Sequence, residues 1–364
     1  RESVSLDPIT ASIYRRTAVD WRDARVGTSL APAERLAAAF DDIPAAPVLD
    51  VGCGPGLLIP ELPGTVIGLD PVAEMLQLLP DHAPGAVPVR AAADGLPFAT
   101  ESIAGALGIK VYVHVDRPLL PMALAELHRV VKVGGPIELQ FFAGDQDLTP
   151  LETDPMGGRR FTGWRPDFLR TVVEGAGFDI EALTIREGDQ VGVIDITARR
   201  ALTLPDIIGP GMRLLICGLN PSVYSAETLV GFGRPGNRFW PAALDAGIAT
   251  VNREPRHALA HHGMGMTDLV KRATPRADEL TTDEYRTGLA RVEQLCAWLR
   301  PEAVCFVGLA GWRAAADRTA TPGWQESDLG GSPVYVMPST SGLNAHSSLA
   351  DLTDHLRHAA TGPQ

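Results

Sequence analysis

The residues Gly218-Leu219-Asn220-Pro221-Ser222 carry the most pointed chemistry in this sequence. They follow residues 212–217, an apolar run of the length of a buried parallel strand. A turn at the end of such a strand places one side-chain amide at the carboxyl edge of a sheet, where open α/β folds bind their ligands. Pro221 fixes its own φ and biases Asn220 toward an extended conformation, so the amide is presented rigidly. Asn-Pro is also an ordinary turn signal. A second set of candidates is Asp50, Gly52, Gly54 and Gly56, where the apolar run Val48-Leu49-Asp50-Val51 enters a glycine-rich turn. Glycines there let the backbone pass close to a ligand, because no Cβ intervenes. The next apolar run, residues 66–69, ends in Asp70, an acid placed to accept bonds from both ribose hydroxyls of a nucleoside. Asp94, ahead of Gly95-Leu96-Pro97-Phe98, closes a third strand–acid turn.

The elements that must hold these residues follow from pattern. A polar segment punctuated by aromatics, residues 13–21, precedes an expected helix over residues 32–40. Strands are expected at 48–51, 66–69, 212–217 and 334–337. Arg199-Arg200 ends the last strand of the first half, and the turn-rich stretch 204–211 sets a domain boundary near residue 201. Two domains are therefore expected, residues 1–200 and 201–364. No long internal repeat and no low-complexity tail is present.

A chain of 364 residues, 45% hydrophobic, is long enough for two proper cores. Its longest apolar runs are strand-length, so no membrane span is expected. No signal peptide is read, although the sequence begins at Arg1. Cys53, Cys217, Cys296 and Cys305 are widely spaced and form no Cys-x-x-Cys pair, which argues against metal or disulfide roles and favours the cytoplasm. His261 and His262 lack a third ligand. The net charge of −12 is uneven: from Leu204 onward there are 14 Lys and Arg against 16 Asp and Glu, and before it 18 against 28. The acidic first half does not suit a broad grip on nucleic acid. In the second half any DNA contact must come from local patches such as Arg234, Arg238, Lys271 and Arg272, with modest and salt-sensitive affinity.

From about residue 48 to 142 the chain resembles a class I S-adenosylmethionine-dependent methyltransferase of the small-molecule type. The stretches that carry the resemblance are Leu-Asp-Val-Gly-Cys-Gly-Pro-Gly, Gly-Leu-Asp, Ala-Asp-Gly-Leu-Pro-Phe, and the run from Glu126 to Gly135. It implies a Rossmann-like, doubly wound sheet. Gly52, Gly54 and Gly56 would approach the methionine part of the cofactor, Asp50 would help position it, Asp70 would hold the ribose, and Asp94 would sit by the adenine amine. Ile103-Ala104 replaces the common Phe-Asp of the fourth strand, and Lys132-Val133-Gly134-Gly135 the usual Lys-Pro-Gly-Gly. No Asn/Asp-Pro-Pro-Tyr stands after that strand, so base-amine methylation has no motif behind it. Lys110, Tyr112 and His114 are candidates to line the pocket of an unknown, small-molecule acceptor.

Over nearly all of residues 204–355 the chain resembles the mismatch-specific uracil-DNA and thymine-DNA glycosylase family. The pentapeptide, the stretch from Gly231 to Trp240, the stretch from Gly265 to Thr274, and Pro338-Ser339-Thr340-Ser341-Gly342-Leu343-Asn344 occur in that family's order. The implied fold is a three-layer αβα domain with a short parallel sheet. The resemblance gives Asn220 the attacking water, Phe232 the stack on the flipped base, and backbone N–H groups around Leu219 and Phe232 the carbonyls of uracil. Ser225 lies where the family tunes acceptance of a carbon-5 methyl. Gly342-Leu343-Asn344 would fill the hole left by the base, Leu343 being the wedge, with Ser339 and Ser341 near phosphate. Arg238 is read as an internal packing residue.

The leading expectation is a monofunctional DNA glycosylase acting on uracil and related pyrimidines in double-stranded DNA with G:U-type mismatches. It would need no cofactor or metal, leave an abasic site for base excision repair, and be fused to an S-adenosylmethionine-dependent methyltransferase domain. The alternative is a small-molecule methyltransferase whose second domain is inactive or only binds DNA. A third reading makes the first domain a cofactor-sensing module.

Overall fold

The computed structural model describes residues 6–25, 27–187 and 191–363. They form two compact units that part between residues 201 and 202.

In the first unit the longer strands are β1 (Val48–Val51), β2 (Val66–Leu69), β3 (Val87–Val89), β4 (Gly105–Ile109), β5 (Pro136–Ala143), β6 (Phe178–Arg186) and β7 (Val193–Arg200). Their order across the sheet is β3-β2-β1-β4-β5-β7-β6. The first five run parallel and β7 is antiparallel to both neighbours. The chain order reverses between β1 and β4, and that switch opens a crevice at the strands' carboxyl ends. All four residues of β1 are buried, as a central parallel strand covered on both faces requires.

The aromatic-punctuated residues 13–21 lie within a helix, Pro8–Asp23. Asp7 caps it by accepting from the Thr10 amide at 2.8 Å, and Pro8 occupies its first turn. The helix brings Tyr14 and Trp21 to one side of the crevice. The following helix spans Ala31–Ala38, close to the expected span.

In the second unit the strands are β8 (Leu214–Gly218), β9 (Met264–Asp268), β10 (Val304–Val307), β11 (Gly323–Trp324) and β12 (Val334–Met337). Their order is β9-β8-β10-β12-β11, parallel except for the short edge strand β11. Two clusters of buried residues cover the two faces, one built around Leu215, Cys217, Leu295 and Trp312, the other around Ile216, Phe239, Trp240 and Leu352. A three-layer arrangement results, with the helix Thr282–Leu299 on one face and Phe239–Ala246 and Leu349–Thr361 on the other. Thr281 and Glu284 form a capping box at the start of the long helix.

All four cysteines are buried, and none is in a disulfide. Burial pushes each thiol up, Cys296 to about 12. Among the described residues no helix is long and apolar enough to cross a membrane, and no group of three or more His, Cys, Asp or Glu is placed to hold a metal ion.

Candidate functional sites

The glycine-rich turn of the first unit is fixed from both sides. The amides of Gly52 and Cys53 donate to the Leu69 carbonyl at 2.7 and 3.0 Å. Asp70 accepts from the Gly54 amide at 3.1 Å and the Val72 amide at 2.8 Å, one on each oxygen. Gly52 sits at φ +68, and a Cβ there would lie 2.6 Å from Val111 Cγ2. Gly52→Ala therefore meets both a left-handed backbone and a filled space, costing about 2–5 kcal/mol in sum. A thermal melt should show the first unit's transition fall by roughly 5–15 °C.

A cavity of about 650 Å³ opens over this turn, within the size range of cofactor sites. Asp50, Gly52, Gly54 and Asp70 line it. Gly56 does not: its α-carbon is faced by Leu79, Ile59 and Ala83 of the core. Nor does Asp94, although Ala93 does. Burial pushes the Asp70 carboxyl up to about 6, against the lowering effect of its two amide bonds. Burial, with the nearby Asp70 charge, pushes Asp50 up to about 8. No hydrogen bond from a described residue reaches the Asp50 carboxyl. Asp50 is thus a buried acid that lines the cavity.

The far wall of the cavity holds two of the three acceptor-pocket candidates, His114 and Lys110, together with Tyr14 and Arg159, which the motifs did not announce. Tyr14 from the first helix meets His114, its hydroxyl 2.9 Å from Nε2. His114 Nδ1 lies 2.7 Å from the Arg160 carbonyl, which accepts only, so Nδ1 carries the proton and Nε2 accepts from Tyr14. Arg159 donates to the Tyr14 oxygen at 2.9 Å and pairs with buried Asp154. Burial drives His114 down to about 4, so it is neutral. Lys110 also lines the cavity; Tyr112 is buried elsewhere, stacked on Phe141.

In the second unit Asn220 stands two residues beyond β8. Its Nδ2 donates to the Arg272 carbonyl at 3.0 Å, the Pro221 carbonyl at 3.2 Å and Thr274 Oγ1 at 2.8 Å. Two of those partners are carbonyls, so the amide orientation is not ambiguous. No described donor reaches Oδ1. The Leu219 side chain packs into the core, which leaves only its backbone to face a ligand. Ser225 is buried in the first turn of the helix Val223–Thr228, its Oγ 3.1 Å from Ser222 Oγ.

Phe232 is half-buried at φ +56, a left-handed conformation that costs a bulky residue about 1–3 kcal/mol. One ring face stacks on Phe239 at 4.3 Å.

Residues 339–347 form a loop organised by Arg238. Its guanidinium donates to the carbonyls of Ser341 at 3.2 Å, Asn344 at 2.6 Å and Ser347. Ser339 Oγ accepts from the Ser341 amide, and Asn344 Nδ2 donates to the Ser339 carbonyl at 2.8 Å. Gly342 and Leu343 form the tip, and Leu343 is 90% exposed.

The second unit also holds an ionic cluster that the motifs did not announce. Asp206 accepts from Thr267 Oγ1 at 2.7 Å, Lys271 Nζ at 2.8 Å and Arg291 at 2.6 Å. Burial alone would raise its carboxyl, but Arg291 and Lys271 hold it below the usual carboxylate range.

Residues 48–135 match the family model of a methyltransferase domain, and residues 205–360 match that of the uracil DNA glycosylase superfamily. The chain thus carries a methyltransferase domain followed by a domain of the uracil DNA glycosylase superfamily. Similar solved structures include an S-adenosylmethionine-dependent methyltransferase of Methanosarcina mazei, 20% identical, covering 43% of this chain and 92% of its own, with a TM-score of 0.39. Another is the 1,6-didemethyltoxoflavin-N1-methyltransferase of Burkholderia thailandensis with 1,6-didemethyltoxoflavin and S-adenosylhomocysteine bound. It is 20% identical, with 52% of this chain and 88% of that one covered and a TM-score of 0.43. A methyltransferase of Mesorhizobium loti is 18% identical, with 48% and 99% covered and a TM-score of 0.40.

Proposed function

We propose that the chain hydrolyses the N-glycosidic bond of uracil, and of related modified pyrimidines, in duplex DNA at G:U-type mismatches. The observation that carries this reading is Asn220: its Nδ2 is fixed by two carbonyls and Thr274, and its Oδ1 is left as an oriented acceptor. Such an oxygen holds one proton of a water and aims the water's lone pair at the glycosidic carbon of an extruded nucleotide. An amide does not take the proton, so the reaction depends on a leaving base whose anion is stable, as uracil's is. Phe232 offers its free face to the base, worth about 1–3 kcal/mol. Backbone N–H groups near Leu219 and Phe232 serve the base carbonyls, and Ser225 bounds the space beside carbon 5. Leu343 fills the vacated stack, while Ser339, Ser341, Gly342 and Asn344 meet the phosphate side. Arg238 keeps that loop in shape.

The first domain, taken as residues 1–200 with the second as 201–364, binds S-adenosylmethionine. The cofactor supplies an electrophilic methyl group when bound. Asp70 is placed for the ribose hydroxyls, Gly52 and Gly54 leave the backbone open to the methionine end, and Asp50 awaits its ammonium. Gly56 shapes the turn from the core side, and Asp94 lies one residue beyond the lining. Neutral His114, through Tyr14, is able to draw a proton from an acceptor, a small molecule of unknown identity.

A duplex with one G:U pair should yield alkali-labile strands with the intact chain. The same folded chain should bind S-adenosylhomocysteine in a calorimeter, and Asp70→Asn should weaken that binding by roughly tenfold or more. Binding without strand cleavage would leave a methyltransferase joined to an inactive or DNA-binding domain.

A further inference from the structure

A continuous series of rings lines the cavity of the first unit. Trp21, Tyr14, His114, Phe161 and Phe142 follow one another at centroid separations of 6.2, 5.5, 4.8 and 5.6 Å. Tyr14, Trp21 and Phe142 are only half-buried, so their rings are open to the cavity. Cations stand along the series. The Arg25 guanidinium lies 5.4 Å from the Trp21 centroid, that of Arg159 5.2 Å from both Tyr14 and Phe161, and Lys110 Nζ 6.0 Å from Phe142. Such a surface suits a flat, uncharged ring and repels an ammonium placed on it.

Tyr14 sets what the surface accepts. Its own proton goes to His114 Nε2, because Nδ1 holds the ring proton toward the Arg160 carbonyl. Arg159 takes one lone pair of the Tyr14 oxygen at 2.9 Å, and no other described residue donates to that oxygen. Tyr14 therefore offers a ligand one acceptor and no donor. Whatever meets it must bring a proton. Burial keeps His114 a weak base, so a proton passed along this route must come from an acidic group. An aromatic hydroxyl satisfies both demands. An alkyl hydroxyl fails on acidity, and an ether brings no proton.

We propose that the methyl acceptor of the first domain is an aromatic hydroxyl compound, its ring laid against Phe142 and Phe161 and its O–H donated to the Tyr14 oxygen. The inference rests on the methyltransferase reading and adds to it the chemical class of the acceptor. The acceptor's proton passes to the Tyr14 oxygen as Tyr14's own proton passes to His114 Nε2. The bonding pair of the broken O–H stays on the acceptor oxygen, which becomes the nucleophile. One aryloxide and one imidazolium result, so charge is balanced. Arg159 donates to the Tyr14 oxygen throughout and keeps the phenol in line.

The test is calorimetric binding of para-cresol to the full chain saturated with S-adenosylhomocysteine. Its methyl ether, the saturated analogue methylcyclohexanol, and para-toluidine are measured beside it. Para-cresol should bind roughly tenfold or more tighter than each of the three. Tyr14→Phe should bring para-cresol down to the level of the ether and leave the ether's affinity where it was. Phe142→Leu should erase the advantage over methylcyclohexanol, an independent check should Tyr14→Phe not fold. Equal affinity of para-cresol and its ether for wild type overturns the proposal. So does para-toluidine at or above para-cresol, which would put an amine against Tyr14. With S-adenosylmethionine the ether should accumulate from para-cresol, and selective binding without ether overturns the hydroxyl as the methylated group. A chain that melts normally but does not bind S-adenosylhomocysteine overturns the methyltransferase reading and this proposal with it.

Discussion

Replacing Asn220 by Ala is expected to slow single-turnover uracil release by about 10²-fold or more, with the melting temperature nearly unchanged. Loss of an orienting group costs rate through misplacement of the attacking atom, for which two orders of magnitude is a fair scale. The stability cost is small because Asn220 is only half-buried and its partners are the neighbouring Pro221 and two residues of one further loop. Asn220→Asp is the sharper variant. A carboxylate is a better proton acceptor than an amide, so chemistry alone favours it. In this setting one of its oxygens would face the Arg272 and Pro221 carbonyls, where Nδ2 now donates. Near neutral pH Asn220→Asp is therefore expected to be slower than wild type, because the oxygens repel and the side chain turns away. Faster release by Asn220→Asp than by wild type would show that orientation by those carbonyls is not what limits the site.

Asp206→Ala is expected to have the largest effect on stability. The substitution leaves Lys271 and Arg291 partly buried without their carboxylate, and breaking a buried pair in this way costs about 3–5 kcal/mol. In a domain of this size that lowers the melting temperature by roughly 6–20 °C. The pH dependence follows from the depressed carboxyl. Its contribution is fully present above the unfolded value of about 3.9 and disappears as pH falls through the lower folded value. Wild type should lose stability steeply in that acid range, and Asp206→Ala should be flatter there. Equal acid slopes for the two proteins would place the acid sensitivity in other carboxylates.

What the sequence made legible are features in which a local backbone constraint demands a residue type. Gly52 and Gly54 carry positive φ, and Pro221 rigidifies the residue before it, so each leaves a mark that reads without the fold. Gly56 shows the limit of that reasoning. It also has positive φ, but it turns toward the core, and φ alone does not say which side of the backbone faces the ligand. The partners of those residues were not legible. Arg159 meets Tyr14 across 145 residues, and Thr274 meets Asn220 across 54, with no spacing rule to link them. Tyr14 and Trp21 were visible as aromatics, but helix Pro8–Asp23 escaped notice because its buried residues are few and small apart from Ile13. Asp268 stood within a quoted motif, and only the fold shows its side chain against Gly218. The central strands β1, β2, β8 and β12, by contrast, followed from short apolar runs ending in turns, since parallel strands buried on both faces leave that pattern.

The burial of all four thiols makes the chain a clean background for chemical labelling. Thiolates react and thiols do not, and burial holds Cys53, Cys217, Cys296 and Cys305 in the unreactive form. A cysteine placed at Leu343, the most solvent-open large apolar side chain of the loop, would be the one fast-reacting position. A fluorophore attached there would change its emission as the loop tip moves from water into the stack of a duplex. The timing of insertion could then be followed in real time against the timing of bond cleavage, with Leu343 the one native side chain replaced.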